Sequence, residues 1–328
     1  VFLGSIGYIG SVYYESYKNR QNTGDLLELF DQSKDGAYPV PLGYPEGWLP
    51  EFAAWYDINP DVIGHVYIDG TGLNYPVVQT SEPGATGLVG QWYLRRDFYG
   101  KDNQHGIPFL DYRAAVTPGA ETTNLVIYGH NMKDGQMFGE LMSYKTLAYY
   151  KEHPTIHFDS VYAESEWKIV AVIITNAYEK DGPVWNYHNF IDGGDGTATQ
   201  NFIDACAART LITTGVDALP TDRFVTLSTC SYEFLDARFV LVARQVRAGE
   251  SAEVDTSAAY YNPSPLMPDE WYDAIAQAQA QDSTAQGGQG GQGGCRGRRA
   301  GAGPGVVDGG QAGPGLGRKR RDGSCVND

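Results

Sequence analysis

Cysteine is scarce in this chain: four in 328 residues, Cys206, Cys230, Cys295 and Cys325, with no pair at CxxC spacing. That excludes a disulfide framework and a thiolate metal centre. Cations are also few, 24 Lys and Arg against 40 Asp and Glu, for a formal charge of −16. From Ser283 onward seven Lys and Arg stand against three Asp, which leaves residues 1–282 at −20. So acidic a body repels phosphate backbones, and no nucleic-acid partner is expected. Apolar runs of bilayer length are missing too. The opening "VFLGSIGYIGSVYY" stops at Glu15, short of the about 20 residues that a crossing needs. Beginning at residue 1 without a Met, it reads as the back half of a signal peptide or membrane anchor, because Gly4, Gly7 and Gly10 weaken the alternative of a buried helix. Large apolar side chains all but vanish after about Ala276, so residues 276–328, rich in Gly, Gln and Arg, are expected to be disordered.

What the chain does have is β-forming sequence. "HVYIDG", "NYPVVQT", "GIPFLDY", "NLVIYGH", "WKIVAVIIT", "RFVTLSTC" and "RFVLVARQV" are rich in Val, Ile, Phe and Tyr and are bounded by Gly, Pro, Asn or Asp. Seven such runs predict a closed barrel or a sandwich. Helical pattern is sparse. "GQMFGELMSYKTLAYYKEHP" sets Met137, Leu141 and Tyr144 at helical spacing and ends before Pro154. "TATQNFIDACAARTLI" puts Phe202, Cys206 and Arg209 near one stripe, which makes Cys206 a packed apolar residue.

Cys230 differs. In "FVTLSTC" alternation sets Phe224, Thr226, Ser228 and Cys230 on one face and Val225, Leu227 and Thr229 on the other. The first face is mostly polar and is expected to border a groove. A thiol serves as a nucleophile only as its thiolate, which needs a cation, dipole or base nearby. Of six histidines, His130 is delivered straight after a buried-looking strand by Gly129, which permits a sharp turn. Arg238 follows Cys230 by eight residues and opens the next strand, so pairing of the two strands would bring both to one end of the sheet. Its guanidinium could donate hydrogen bonds to a substrate carbonyl or a developing oxyanion.

The order "YGHN", then Thr226-Leu227-Ser228-Thr229-Cys230, then Arg238 resembles the sortases, cysteine transpeptidases of Gram-positive bacteria. "IDGTGLNYPVVQT", "FLDYR", "VIYGHNMKDGQMFGEL", "YYKEHPTIHF" and "TLSTCSYEFLDARFVLVAR" are similar to class B members in particular. The resemblance runs from about Asn59 to Arg247. It implies a mainly β fold, a closed barrel of about eight strands with N-terminal helices and a helix between strands six and seven. It implies Cys230 as nucleophile, His130 as acid/base and Arg238 as the cation that orients the carbonyl. Asn131, Ser228, Thr229, Tyr232 and Glu233 are the implied substrate-binding neighbours; Tyr232 stands where some class B members carry an acidic residue. No metal or organic cofactor is implied. The expected partners are secreted proteins with a C-terminal sorting signal, cleaved after Thr, and an amine from a peptidoglycan precursor or a pilin lysine. The expected location is the outer face of the cell membrane, held by one N-terminal anchor. On this reading residues 1–24 are anchor remnant and stalk, 25–250 the catalytic unit, 251–275 a C-terminal extension and 276–328 a tail. Two rivals remain open at this point: a peptidase in which water resolves the thioester, and a surface-binding β-domain with incidental Cys, His and Arg.

Overall fold

The structure is a computed structural model that describes residues 2–273. The expected tail at 276–328 lies outside the described residues. Eight strands close into a barrel. They are β1 (Val62–Tyr67), β2 (Asn74–Val78), β3 (Phe109–Leu110), β4 (Asn124–Tyr128), β5 (Thr155–Ser160), β6 (Glu166–Asn176), β8 (Phe224–Cys230) and β9 (Ala237–Gln245). Their order around the wall is β1-β2-β3-β4-β8-β9-β6-β5. β7 (Ile212–Thr213) instead pairs with β10 (Tyr260–Tyr261) in a small separate sheet. All seven predicted runs lie in the barrel wall, and the eighth strand, β5, comes from the "PTIHFDS" stretch.

β4 and β8 are buried along their whole length, because both faces of this part of the wall are covered. Leu125, Ile127, Val225, Leu227, Phe239 and Leu241 join the main core. The opposite face of β6, β8 and β9 carries Ala171, Ile173, Phe224, Val240 and Val242, which pack with Phe202, Cys206 and Tyr187. Phe202 and Cys206 belong to α4 (Thr197–Arg209), which lies between β6 and β7 and therefore between the sixth and seventh barrel strands. The other predicted helix is divided. Gly139–Lys145 is a 3-10 helix, and α3 (Leu147–Glu152) starts afresh behind Thr146, whose hydroxyl accepts from the Tyr149 N–H.

The N-terminus requires a correction. The apolar run is the start of α1, one unbroken helix from Phe2 to Lys34 that passes the expected division at residue 24. Glu15, Lys18 and Arg20 follow the run within two turns. No helix among the described residues is long and apolar enough to cross a membrane. The expected membrane location through a single N-terminal anchor is thereby overturned, since α1 is not a membrane span. Leu26 and Phe30 pack under α2 (Ala53–Ile58), with Phe30 4.4 Å from the Trp55 ring and Trp55 Nε1 donating to the Leu26 carbonyl at 2.7 Å.

Candidate active site

Register alone assembles the site. β4 and β8 are parallel with Tyr128 opposite Ser228, so His130 and Cys230 each stand two residues beyond that pair at the same end. β8 and β9 are antiparallel with Cys230 opposite Arg238. Neighbouring strands lie about 4.8 Å apart, so the nucleophile candidate sits between histidine and arginine, one strand spacing from each. One backbone bond and two from side chains lock the ends together. Gly129 N donates to Ser228 O at 3.1 Å, Thr229 Oγ1 to Gly129 O at 2.6 Å, and Asn131 Nδ2 to Cys230 O at 2.9 Å.

Gly129 is required for a reason other than the expected sharp turn. A Cβ there would stand 2.7 Å from the Phe138 ring, so the glycine admits close packing under the histidine. His130 Nε2 lies 2.7 Å from Leu94 O. A carbonyl only accepts, so Nε2 carries the proton and Nδ1 is left as the basic nitrogen. Burial pushes the imidazole down to about 4, against the opposing pull of the Leu94 carbonyl, so it is neutral at pH 7.

The two cysteines are both buried, in different company. Cys206 lies beneath α4, and burial pushes its thiol far up, which makes it an inert packing residue. Cys230 ends β8 beside Arg238, which is 3% exposed and donates through Nη1 to the carbonyls of Asp236 at 3.2 Å and Ala237 at 3.3 Å. Asp236 turns the chain back with φ 64° and is tied to Lys180 at 3.3 Å.

Arg238 also lines a cavity of about 380 Å³ with Asp111, Arg113, Tyr128, Trp185, Tyr187 and His188. The expectation of a polar groove face on β8 holds only near its end. Phe224 packs on Phe202 at 5.5 Å, and Thr226 Oγ1 donates to Asn124 Oδ1 at 2.8 Å, which covers the first half. Ser228 Oγ meets the Tyr187 hydroxyl at 2.6 Å. The remaining neighbours divide by position. Asn131 and Thr229 hold β4 to β8. Tyr232 is exposed and donates to the Asn131 carbonyl at 3.1 Å. Glu233 engages Lys145 and Ser231, facing the 3-10 helix rather than the cavity. Sequence reasoning passed over Tyr187, Asp111 and Leu94. The aromatic stretch "VWNYHNF" could have flagged Tyr187, whereas Leu94 acts through a backbone carbonyl that no residue type advertises. Among the described residues no group of His, Cys, Asp and Glu is arranged to hold a metal ion.

A family model described as a sortase domain matches residues 66–246. Sortase B of Staphylococcus aureus is 29% identical over 245 residues, spanning 74% of this chain and 91% of that protein. Sortase B of Listeria monocytogenes is 29% identical over 233 residues, spanning 71% and 86%. Among solved structures, a Staphylococcus aureus sortase B–substrate complex aligns with a TM-score of 0.59 at 28% identity, over 72% of this chain and 100% of that one. Sortase B from B. anthracis aligns with the same TM-score at 26% identity, over 72% and 99%.

Proposed function

The chain belongs to the sortase family as a class B member, a cysteine transpeptidase, and on that premise we propose that Cys230, His130 and Arg238 carry out a two-step acyl transfer on a C-terminal sorting signal. The Cys230 thiol gives its proton to His130 Nδ1, and Sγ attacks the carbonyl that follows a threonine. Arg238 donates hydrogen bonds to the oxygen as it gains charge. The imidazolium, held by Leu94 O, then protonates the departing amine, the C–N bond breaks and a thioester remains. A second amine attacks the thioester carbonyl and gives its proton to His130. The C–S bond breaks, an amide forms and the Cys230 thiol is restored.

The observation that carries this reading is the double register that sets Cys230 between the strand ends bearing His130 and Arg238. The second substrate is an amine of a peptidoglycan precursor or a pilin lysine. A sortase B structure complexed with triglycine supports a short glycine chain as one such amine. In the same reading Ser228, with Tyr187, borders the peptide. Asn131 and Thr229 fix the strand ends, and Tyr232 and Glu233 rim the loop beyond the nucleophile.

The test is to incubate the protein with a panel of sorting peptides, with and without triglycine, and to analyse products by mass spectrometry. A thioester mass on the Cys230 peptide and an amide adduct with triglycine are expected. Hydrolysis alone in the presence of triglycine would replace the transferase reading with that of a peptidase, and no adduct from any peptide would remove the chemistry altogether.

A further inference from the structure

α1 presents one stripe to the protein: Ser16, Asn19, Thr23, Leu26, Phe30 and Ser33, at alternating steps of three and four residues. Its second half is apolar and joins the core. Its first half is polar and docks on two loops that both bear on His130. One loop is residues 131–137, which leaves His130 and returns so that Phe138 N donates to His130 O at 2.9 Å. The other is residues 92–105, which contains Leu94, the acceptor for His130 Nε2.

Asn19 is 4% exposed and uses both ends of its amide. Nδ2 donates to Gln136 Oε1 at 2.9 Å, and Oδ1 accepts from Asn103 Nδ2 at 3.0 Å. Each partner is fixed in turn. Gln136 Nε2 donates to Ser16 O at 3.1 Å, Ser16 Oγ donates to Asp134, and Arg20 donates to the Asp134 carbonyl at 2.9 Å. Asn103 N donates to Arg95 O at 2.9 Å, and Asn103 Oδ1 accepts from His105 N at 2.8 Å. One side chain of α1 thus spans the loop that carries the imidazole and the segment that holds its Nε2 proton.

We infer that Asn19 is a positioning residue for His130, and that α1 through it sets the placement of the acid/base in the acyl transfer. A buried amide with donor and acceptor both used has a single orientation, because Asn103 Nδ2 cannot accept and Gln136 Oε1 cannot donate. Removing it leaves the buried Gln136 and the partly buried Asn103 without their partner and lets the two loops move independently. An imidazole displaced by a fraction of an ångström transfers protons less efficiently without altering how the peptide binds.

This inference rests on the assignment of His130 as acid/base, so the experiment separates the two. Transpeptidation kinetics are measured on the full chain for Asn19→Ala, His130→Gln and Leu26→Ala, the last loosening α1 at its apolar half, away from both loops. The expectation for Asn19→Ala is a fall in kcat of about tenfold with KM unchanged within twofold. Its acidic limb in the pH–rate profile should move to higher pH, because an imidazole freed from its enclosure is better hydrated. Leu26→Ala should lower the melting temperature at least as much and leave kcat and the pH profile unchanged below that temperature. Asn19→Ala combined with Asn103→Ala should cost no more than Asn19→Ala alone if they form one linkage. Wild-type kcat in Asn19→Ala alongside an inactive His130→Gln overturns the positioning role alone. So does a parallel loss of kcat in Leu26→Ala. An active His130→Gln overturns the acid/base assignment itself.

Discussion

β9 carries two buried arginines on one face, six residues apart, and they serve opposite ends of the barrel. Arg244, 1% exposed, is ringed by carboxylates: Glu250 at 2.6 and 2.7 Å and Asp217 at 3.0 Å, with a further bond to the Asp217 carbonyl at 2.8 Å. Lys168 and Arg247 extend this into a network, Lys168 reaching Glu250 at 2.8 Å and Arg247 reaching Asp222 at 2.7 Å. Arg238 is nearly as buried, yet it donates to the backbone carbonyls of its own turn, faces Cys230 across the register and borders a cavity. One strand thus shows two uses of a guanidinium. At one end its charge is neutralised by partners that stay fixed, so it contributes stability. At the other its guanidinium stands opposite Cys230 and beside an open space, where, in the mechanism proposed above, a substrate oxygen would meet it.

Removing Cys230, the proposed nucleophile at the Arg238 end, should produce the largest effect. Cys230→Ala is expected to abolish both peptide cleavage and amide formation, with an unchanged melting temperature. Cys206→Ala should keep full activity and lose at most about 1 kcal/mol of stability. Product analysis by mass spectrometry together with a melting curve reads both, and turnover retained in Cys230→Ala would end the assignment.

The arginines themselves come next. Lys in place of Arg238 keeps the charge but loses the planar fork, so acylation should fall by about 10² to 10³. Alkylation of Cys230 by a small neutral reagent, which needs no carbonyl contact, should change far less. Rescue of acylation by Lys, after a shared loss of acylation and alkylation in Arg238→Ala, would instead make Arg238 an activator of the thiol. Arg244→Met should do the reverse. Activity per folded molecule should stay normal, while stability falls by about 1–3 kcal/mol, a modest figure because Asp217 and Glu250 remain partly exposed and can rehydrate. Urea denaturation measures it.

This contrast was half legible in the sequence. Two strand-like runs and the eight-residue spacing from Cys230 to Arg238 were enough to bring those two residues to one sheet end if the strands paired, as they do. His130 followed from a strand that stops at Gly129. N-terminal helices were implied by the resemblance, but the docking of α1 was not legible, because its contact stripe begins with Ser16, Asn19 and Thr23, and a search for apolar periodicity passes over a face that docks through amides and hydroxyls. Leu94 was hidden for a different reason: its part is played by a carbonyl at the end of a short 3-10 helix, Trp92–Arg95, which any residue could supply. The cavity wall was missed because Trp185 and Tyr187 stand in the connection after β6, far in sequence from Ser228 and Arg238, beside which the fold sets them.

The smallest effect, and the finest separation of the two ends, is in their response to acid. His130 is held neutral, at about 4 rather than its ordinary 6.5, chiefly by burial. The unfolded chain therefore takes up the proton first. The stability tied to a neutral His130 is complete above pH about 6.5 and drains away as pH falls towards 4, by about 2 kcal/mol in all, less than the full shift would give because solvent still reaches part of the residue. His65, pushed down to about 4 by burial, adds to the same window. At the other end Arg244, then Lys168, holds the Glu250 carboxyl well below the usual range. That contribution is present above the ordinary glutamate value of about 4.3 and is lost only as pH falls below it. Melting temperatures measured from pH 8 to pH 2 should accordingly decline in two stages. His130→Gln should shrink the stage between 6.5 and 4 to the part that His65 supplies and leave the lower one alone, whereas Arg244→Met should shrink the stage below 4.3. If Arg244→Met altered the upper stage instead, the two ends of β9 would be coupled through the barrel wall, and the division between a stabilising arginine and a chemical one would fail.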